Sequence, residues 1–202
     1  MVCNKGLEGK FKVKRCGWAE GQDEKYQAYH DDEWGRPISD DKVWFEFLTL
    51  EGAQAGLSWA TILNKREGYR KAFANFDYHQ VAQFDEEKIQ ALREDASIVR
   101  NQLKIRSTVG NAKALIEVQK EFGSFNDYVW RFVDGKPIVN HWKNMSEVPV
   151  STAESDALSK DLKKRGFKFI GTTICYALMQ ATGMVNDHTT DCFCYEANNK
   201  ED

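Results

Sequence analysis

The sequence predicts an all-α protein, and three observations carry that expectation. Only three prolines occur in 202 residues, strand-like alternation is scarce, and apolar residues recur at helical spacing along the chain. The stretch SDDKVWFEFLTLEGAQAG opens on Ser39 or Asp40 as an N-cap, passes an acidic first turn and carries a stripe of Val43, Phe47 and Leu50. SWATILNKREGYRKAFANF starts on Ser58 and DEEKIQALRED on Asp85, both cap-type residues. NQLKIRSTVGNAKALIEVQKEFG is long and amphipathic, and Gly123 closes it in the position of a helix C-cap. A shorter helix in SFNDYVWRFV runs out at DGKP, and the chain from there to Pro149 reads as an irregular connection. STAESDALSKDLKKR then opens with Ser151 and Glu154 at capping-box spacing and places Ala157, Leu158 and Leu162 on one face. GFKFIG interrupts, and TTICYALMQATGMV resumes helical spacing through Ile174, Leu178 and Ala181. These last two helices and their glycine-bounded turn form a helix-hairpin-helix candidate.

The content of 42% apolar residues suffices for a buried core. The N-terminal stretch lacks the apolar run of a secretory signal, and no apolar run is long enough to span a bilayer, so the expected location is the cytoplasm. Cysteines 3, 16, 175, 192 and 194 are odd in number and scattered, which points to reduced thiols or metal ligands rather than disulfides. A formal net charge of -3 gives no sign of a polyanion partner, so local clusters matter more than the sum.

One such cluster is KKRGFKFIG. It places Lys163, Lys164, Arg165 and Lys168 around Gly166, and sets Gly171 and Thr172 where a helix begins. Free amides at a helix N-terminus with cations beside them can seat a nucleic-acid phosphate without reading sequence. An ordinary turn with a solvated basic face fits the same spacing. Helix-hairpin-helix turns also usually carry two glycines one residue apart, and Phe169 stands where the first would be.

Glu51 continues the Val43 and Phe47 stripe at the next step of four, so its carboxylate is expected to face inward. A glutamate at an apolar position is either paired or functional, because burying an ionised carboxylate alone is costly. Tyr26, Tyr29, His30 and Trp34 lie nearby in sequence, and Trp18 and Trp59 supply further indoles. Aromatic walls with one carboxylate would suit a flat cationic ligand.

His188 and Cys192 are four residues apart and can meet one metal ion. Cys3, Cys16, Cys175, Cys194, His30, His79 and His141 are the available complement, with Cys16 and His30 the favoured pair. Unrelated thiols and an unliganded histidine remain an open alternative at this point. Four protein ligands would make the ion structural, since a catalytic zinc keeps one position open for water. The zinc deaminase signature is absent from the sequence.

The segments CGW, AYHDDEWG, LEGAQAGLSW, SDALSKDLKKRGFKFIGTTICYALMQATG and VNDHTTDC occur in that order across roughly residues 15 to 195. Together they closely resemble the bacterial DNA-3-methyladenine glycosylase I family. The resemblance implies an all-α helix-hairpin-helix glycosylase domain over residues 15–196, between a flexible extension of residues 1–14 and a tail of residues 197–202. It implies one structural zinc ion on Cys16, His30, His188 and Cys192, which clasps the N-terminal segment to the C-terminal one. Glu51, the family's catalytic position, and Tyr29 match residues that hydrogen-bond the alkylated base. Trp59 matches the indole that stacks on the base, and Trp18 and Trp34 match aromatic positions around it. The implied activity is hydrolysis of the N-glycosidic bond of a flipped 3-methyladenine in double-stranded DNA, by a monomer, leaving an abasic site. Thr173 stands where lyase-competent members of the superfamily carry a Schiff-base lysine, so no lyase step is expected. Asp187 lies near the place of a catalytic aspartate in related glycosylases, but a helix-cap or ligand-supporting role is the preferred reading. A non-catalytic nucleic-acid-binding module on the same scaffold is the alternative, and it would not need the Glu51, Tyr29 and Trp59 pocket.

Overall fold

A computed structural model describes residues 13–197. All but two residues of the expected 1–14 extension, and nearly all of the 197–202 tail, lie outside that range, as does Cys3. Ten α-helices occur among the described residues: α1 (Glu24–Asp32), α2 (Asp41–Gln54), α3 (Trp59–Ala72), α4 (Tyr78–Val81), α5 (Glu86–Glu94), α6 (Gln102–Phe122), α7 (Phe125–Trp130), α8 (Ala153–Lys164), α9 (Thr172–Ala181) and α10 (Phe193–Ala197). The described residues are all-α apart from one parallel bridge between β1 (Ile138–Val139) and β2 (Val185–Asn186). That bridge falls partly in the stretch expected to be irregular, and it ties the 134–152 connection to the segment leading to His188.

Cap chemistry sets the helix starts. The side chains of Asp40, Ser58, Asp85 and Asn101 each accept from an amide in the first turn of α2, α3, α5 and α6; Ser58 and Asp85 are the expected caps, Asp40 is one of the two expected for α2, and Asn101 was not singled out. Gly123 ends α6 at φ 89°. The capping box of α8 is shifted by one residue from the expected Ser151 and Glu154. Thr152 is the N-cap, and its hydroxyl and that of Ser155 exchange bonds with each other's backbone amides. Ser155 wins because its hydroxyl also reaches Thr152 O and Thr172 Oγ1, at 3.0 Å each, which fastens α8 to the start of α9.

Helix α2 is the central element, with ten of its residues buried, and it packs against α3, α6, α7 and α9. Lys104 of α6 reaches its C-terminal end, and Nζ donates to Ala53 O at 2.8 Å and Ala55 O at 2.6 Å. The last turn of α2 has no basic residue of its own, so this ammonium supplies the cation that its unpaired carbonyls favour. Helices α8 and α9 form a tight hairpin. At its turn Phe169 holds φ 53°, the left-handed conformation for which glycine is the usual choice. Asn111 of α6 steadies the turn from outside by donating to Lys168 O at 3.0 Å and accepting from Lys168 N at 2.8 Å. No described helix is long and apolar enough to cross a membrane.

Candidate functional site: an aromatic cleft beside a histidine-cysteine cluster

A cleft of about 190 Å³ opens between α1, α2, α3 and α9, and it gathers all five pocket residues expected from the sequence. Trp18 and Trp34 meet edge to face with centroids 5.0 Å apart, and Tyr29 lies 5.1 Å from Trp59. Tyr29 is buried, and burial, reinforced by the nearby Glu51, pushes its phenol well above the usual range, so it stays a hydrogen-bond donor. The Trp59 indole N–H is buried and has no partner among the described residues, which leaves an open donor on a cleft-lining residue. Tyr26, Gln54, Met145, Ala177 and Gln180 complete the lining. Of these, only Tyr26 was singled out in the sequence; Gln54, Met145, Ala177 and Gln180 went unseen, although a glutamine within the otherwise apolar TICYALMQA stretch is the same kind of signal that drew notice to Glu51.

Glu51 faces the cleft and is only 4% exposed. No hydrogen bond or ion pair satisfies it among the described residues, and burial pushes its pKa up to about 8. A carboxyl group left unpaired at the wall of an aromatic cleft is poised to receive a cation.

The second cluster lies directly behind this cleft. Cys16, His30, His188 and Cys192 are all buried, and one ligand atom from each lies within 4.8 Å of the others. Cys16 Sγ is 3.4 Å from His188 Nδ1, and Cys192 Sγ is 3.5 Å from both His188 Nδ1 and His30 Nε2. A tetrahedral zinc with ordinary Zn–S and Zn–N bonds requires S···N edges of about 3.5 Å, so the set fits such an ion. The remaining ring nitrogens are oriented as metal-binding histidines require. His30 Nδ1 donates to Asp31 Oδ1 at 2.8 Å, and His188 Nε2 donates to Trp34 O at 3.1 Å. Arg15 grips Asp31 in turn, at 2.6 to 3.0 Å. Cys194 is buried beside the cluster, where its thiol faces the carbonyls of His30 and Asp31. Cys175, one of the candidate ligands, is instead a core residue.

Asp187 caps no helix. Its fully buried carboxylate accepts from Asn140 Nδ2 and Trp142 Nε1 on one oxygen, and from Tyr176 OH and Gln180 Nε2 on the other, all at 2.6 to 2.8 Å. It lines none of the cleft.

The hairpin residues divide into two groups. Lys163, Lys164, Gly166 and Lys168 are exposed, while Gly171 and Thr172 sit at the start of α9. Thr172 Oγ1 is bonded to Asp156 and Ser155. Arg165 departs from the expectation of a free cation. Its guanidinium pairs with Glu121 and Asp161 and stacks against Phe122 and Tyr128, so its donors are turned back into the protein. Burial of Tyr128 and Phe122 beside an acidic pair draws the planar guanidinium inward, where a lysine would stay in solvent.

Residues 18–195 match the methyladenine glycosylase family. The chain belongs to that family. Membership makes the protein a DNA-3-methyladenine glycosylase. DNA-3-methyladenine glycosylase 1 of Escherichia coli K12 is 53% identical over 92% of this chain and 99% of that protein. DNA-3-methyladenine glycosylase of Haemophilus influenzae is 48% identical over 89% of this chain and 97% of that one. Among solved structures, a 3-methyladenine DNA glycosylase I superposes with a TM-score of 0.88 at 50% identity, covering 90% of this chain and all of the other. The glycosylase of Staphylococcus aureus, described for its recognition of 3-methyladenine, superposes at 0.84 with 36% identity, covering 86% and 93%. A glycosylase variant in complex with 3-methyladenine superposes at 0.85.

Proposed function

We propose that the aromatic cleft is the pocket for an extrahelical 3-methyladenine, and that Glu51 is the group on which excision depends. The observation that carries this is the unpaired buried carboxyl of Glu51 among Trp18, Tyr29, Trp34 and Trp59. Methylation at N3 gives the base a positive charge while it is still bound to the sugar, so the leaving group is already activated. The protein needs little acid catalysis. Trp59 stacks on the base, Tyr29 donates to one of its ring nitrogens, and Glu51 releases its proton to solvent water as the cation enters and then pairs with it. Neutral adenine gains less from a carboxylate and π faces, which gives selectivity. The base sits inside the protein, so the nucleotide must leave the duplex for the reaction, and water then attacks the sugar carbon as the bond to the base breaks.

On this reading α8, the turn and α9 act as a helix-hairpin-helix element. Lys163, Lys164 and Lys168 flank the phosphate, and the free amides after Gly171 receive it. Thr173 is exposed near the cleft and carries no amine, so the protein forms no imine with the sugar. Borohydride is expected to trap no covalent adduct on methylated DNA. The histidine-cysteine cluster holds zinc, whose four protein ligands leave no position for a reacting water, so its contribution is structural.

The test is incubation with methylated double-stranded DNA followed by analysis of the released bases. Free 3-methyladenine from the native protein and a roughly ten- to hundredfold slower release by Glu51→Gln support the reading, the range being that of one charge-assisted hydrogen bond. Undiminished release by Glu51→Gln overturns the assignment of the pocket.

A further inference from the structure

Gln180 stands on α9 one turn beyond Ala177, and both residues line the aromatic cleft opposite Glu51. Its side-chain amide has only one orientation that the surroundings allow. Nε2 lies 2.8 Å from Asp187 Oδ2, an oxygen that already accepts from Tyr176 OH at 2.6 Å. The other carboxylate oxygen is filled by Asn140 Nδ2 and Trp142 Nε1, both at 2.7 Å. A carboxylate surrounded in this way can take only donors, so Gln180 must turn its NH₂ toward Asp187. The side-chain oxygen is then the free end, and it makes no bond to any described residue.

We propose that Gln180 is a specificity-determining residue whose side-chain carbonyl accepts a hydrogen bond from the 6-amino group of the bound base, with Asp187 as the positioning residue that keeps that carbonyl turned to the cleft. The inference rests on the cleft being the base pocket. The chemistry of the ligand selects the contact. In 3-methyladenine attached to its sugar, N1 and N7 are acceptors, N3 carries the methyl group and N9 carries the sugar. The 6-amino group is thus the one N–H donor on the ring, and its two hydrogens can serve two acceptors. A purine with a carbonyl at that position, such as 3-methylguanine, would set two acceptors against each other and leave both unpaired, which is how polar sites reject near-isosteres.

The arrangement also explains why a carboxylate is buried at position 187. An asparagine there would place an NH₂ before one pair of donors. Where that pair includes Gln180, the glutamine amide would turn over and present its NH₂ to the base.

The test uses DNA methylated to carry both lesions, with release of 3-methyladenine and 3-methylguanine measured from the same substrate. Gln180→Leu and the length-matched Gln180→Met are expected to lower kcat/KM for 3-methyladenine about fivefold to tenfold, the effect of one hydrogen bond. Release of 3-methylguanine is expected to hold or rise, so the ratio of the two falls. Asp187→Asn should shift the ratio the same way at unchanged zinc content when assayed well below its own thermal midpoint, and a merely structural role would lower the release of both bases alike without moving that ratio. If Glu51→Gln loses release while both Gln180 variants keep the native ratio, the role of Gln180 is overturned and the pocket stands. If Glu51→Gln releases base at the native rate, the pocket reading falls and takes this inference with it.

Discussion

Helix α2 buries two glutamates five residues apart, Glu46 and Glu51, and their surroundings separate structure from function. Glu46 accepts from Arg66 Nε at 2.7 Å and Arg70 Nη2 at 2.9 Å, and Arg66 reaches on to Glu33 at the end of α1. That network joins α1, α2 and α3, and no charge in it goes unanswered. Glu51 has no such partner, so in the free protein it is a cost that folding bears. Its folded-state pKa of about 8 stands above the ordinary 4.5. The folded state therefore holds the proton more tightly than the unfolded chain does. The stability this gives is fully present below pH 4.5 and is lost as the pH rises to about 8, after which the loss is complete. The neutral isostere Glu51→Gln does not titrate. Its thermal midpoint relative to the native protein is therefore expected to rise steadily from pH 5 to pH 8.5, even though base release is slower. A difference in midpoint that stays flat across that range would show that the native carboxyl is already ionised by a partner. Glu51 could be singled out in the sequence because it broke an apolar stripe. The network that spares Glu46 could not, because its arginines are twenty or more residues away.

At the scale of the element, the α8–α9 hairpin carries a division of labour that side-chain type alone does not disclose. All four basic residues of KKRGFK look equivalent in sequence. In the fold three lysines remain in solvent and Arg165 is drawn onto Phe122 and Tyr128. Two measurements separate these roles. Replacing Lys163, Lys164 and Lys168 by alanine should reduce the steepness of the plot of log affinity for DNA against log salt by about 0.9 for each phosphate contact removed, with the thermal midpoint little changed. Arg165→Ala should leave that slope intact and cost about 1–2 kcal/mol of stability, through lost ring contacts and partly screened ion pairs. A slope that drops with Arg165→Ala and not with the lysine variants would reverse the assignment. Helix starts were legible because a cap is local chemistry. Asp40, Ser58 and Asp85 needed only their own next turn. The box at α8 was displaced by one residue because its choice depends on Thr172, which is seventeen residues beyond Ser155 and sequence-distant from the cap it decides.

Across the whole molecule, the histidine-cysteine cluster and the cleft are two faces of the same few segments. Tyr29 and His30 are adjacent on α1, one turned to the cleft and the other to the cluster. Trp18 follows Cys16 by two residues, and its ring meets His30 edge to face at 5.0 Å. Trp34 lines the cleft with its indole and holds His188 with its carbonyl. Asp187, which orients Gln180, directly precedes His188. An ion on these four ligands would join residues 16 and 30 to residues 188 and 192 and so fix both walls of the cleft at once. The sequence showed the ligand types, but their meeting depends on chain ends brought together by everything between them. Removing a ligand should therefore act on stability first and on activity through it. A bound structural zinc contributes its binding free energy to folding, and even a loss of about 3 kcal/mol would lower the midpoint of a chain this size by roughly 6–12 °C. His188→Ala is expected to release the metal and show a fall of at least that size, and a chelator acting on the native protein should produce the same shift. Well below the lowered midpoint, His188→Ala should still bind DNA through the hairpin with an unchanged salt slope, while its base release falls because Tyr29, Trp18 and Trp34 are no longer held in register. A variant that keeps its metal and its midpoint would remove His188 from the clasp, and a variant that loses the metal yet releases base at the native rate would uncouple the clasp from the cleft.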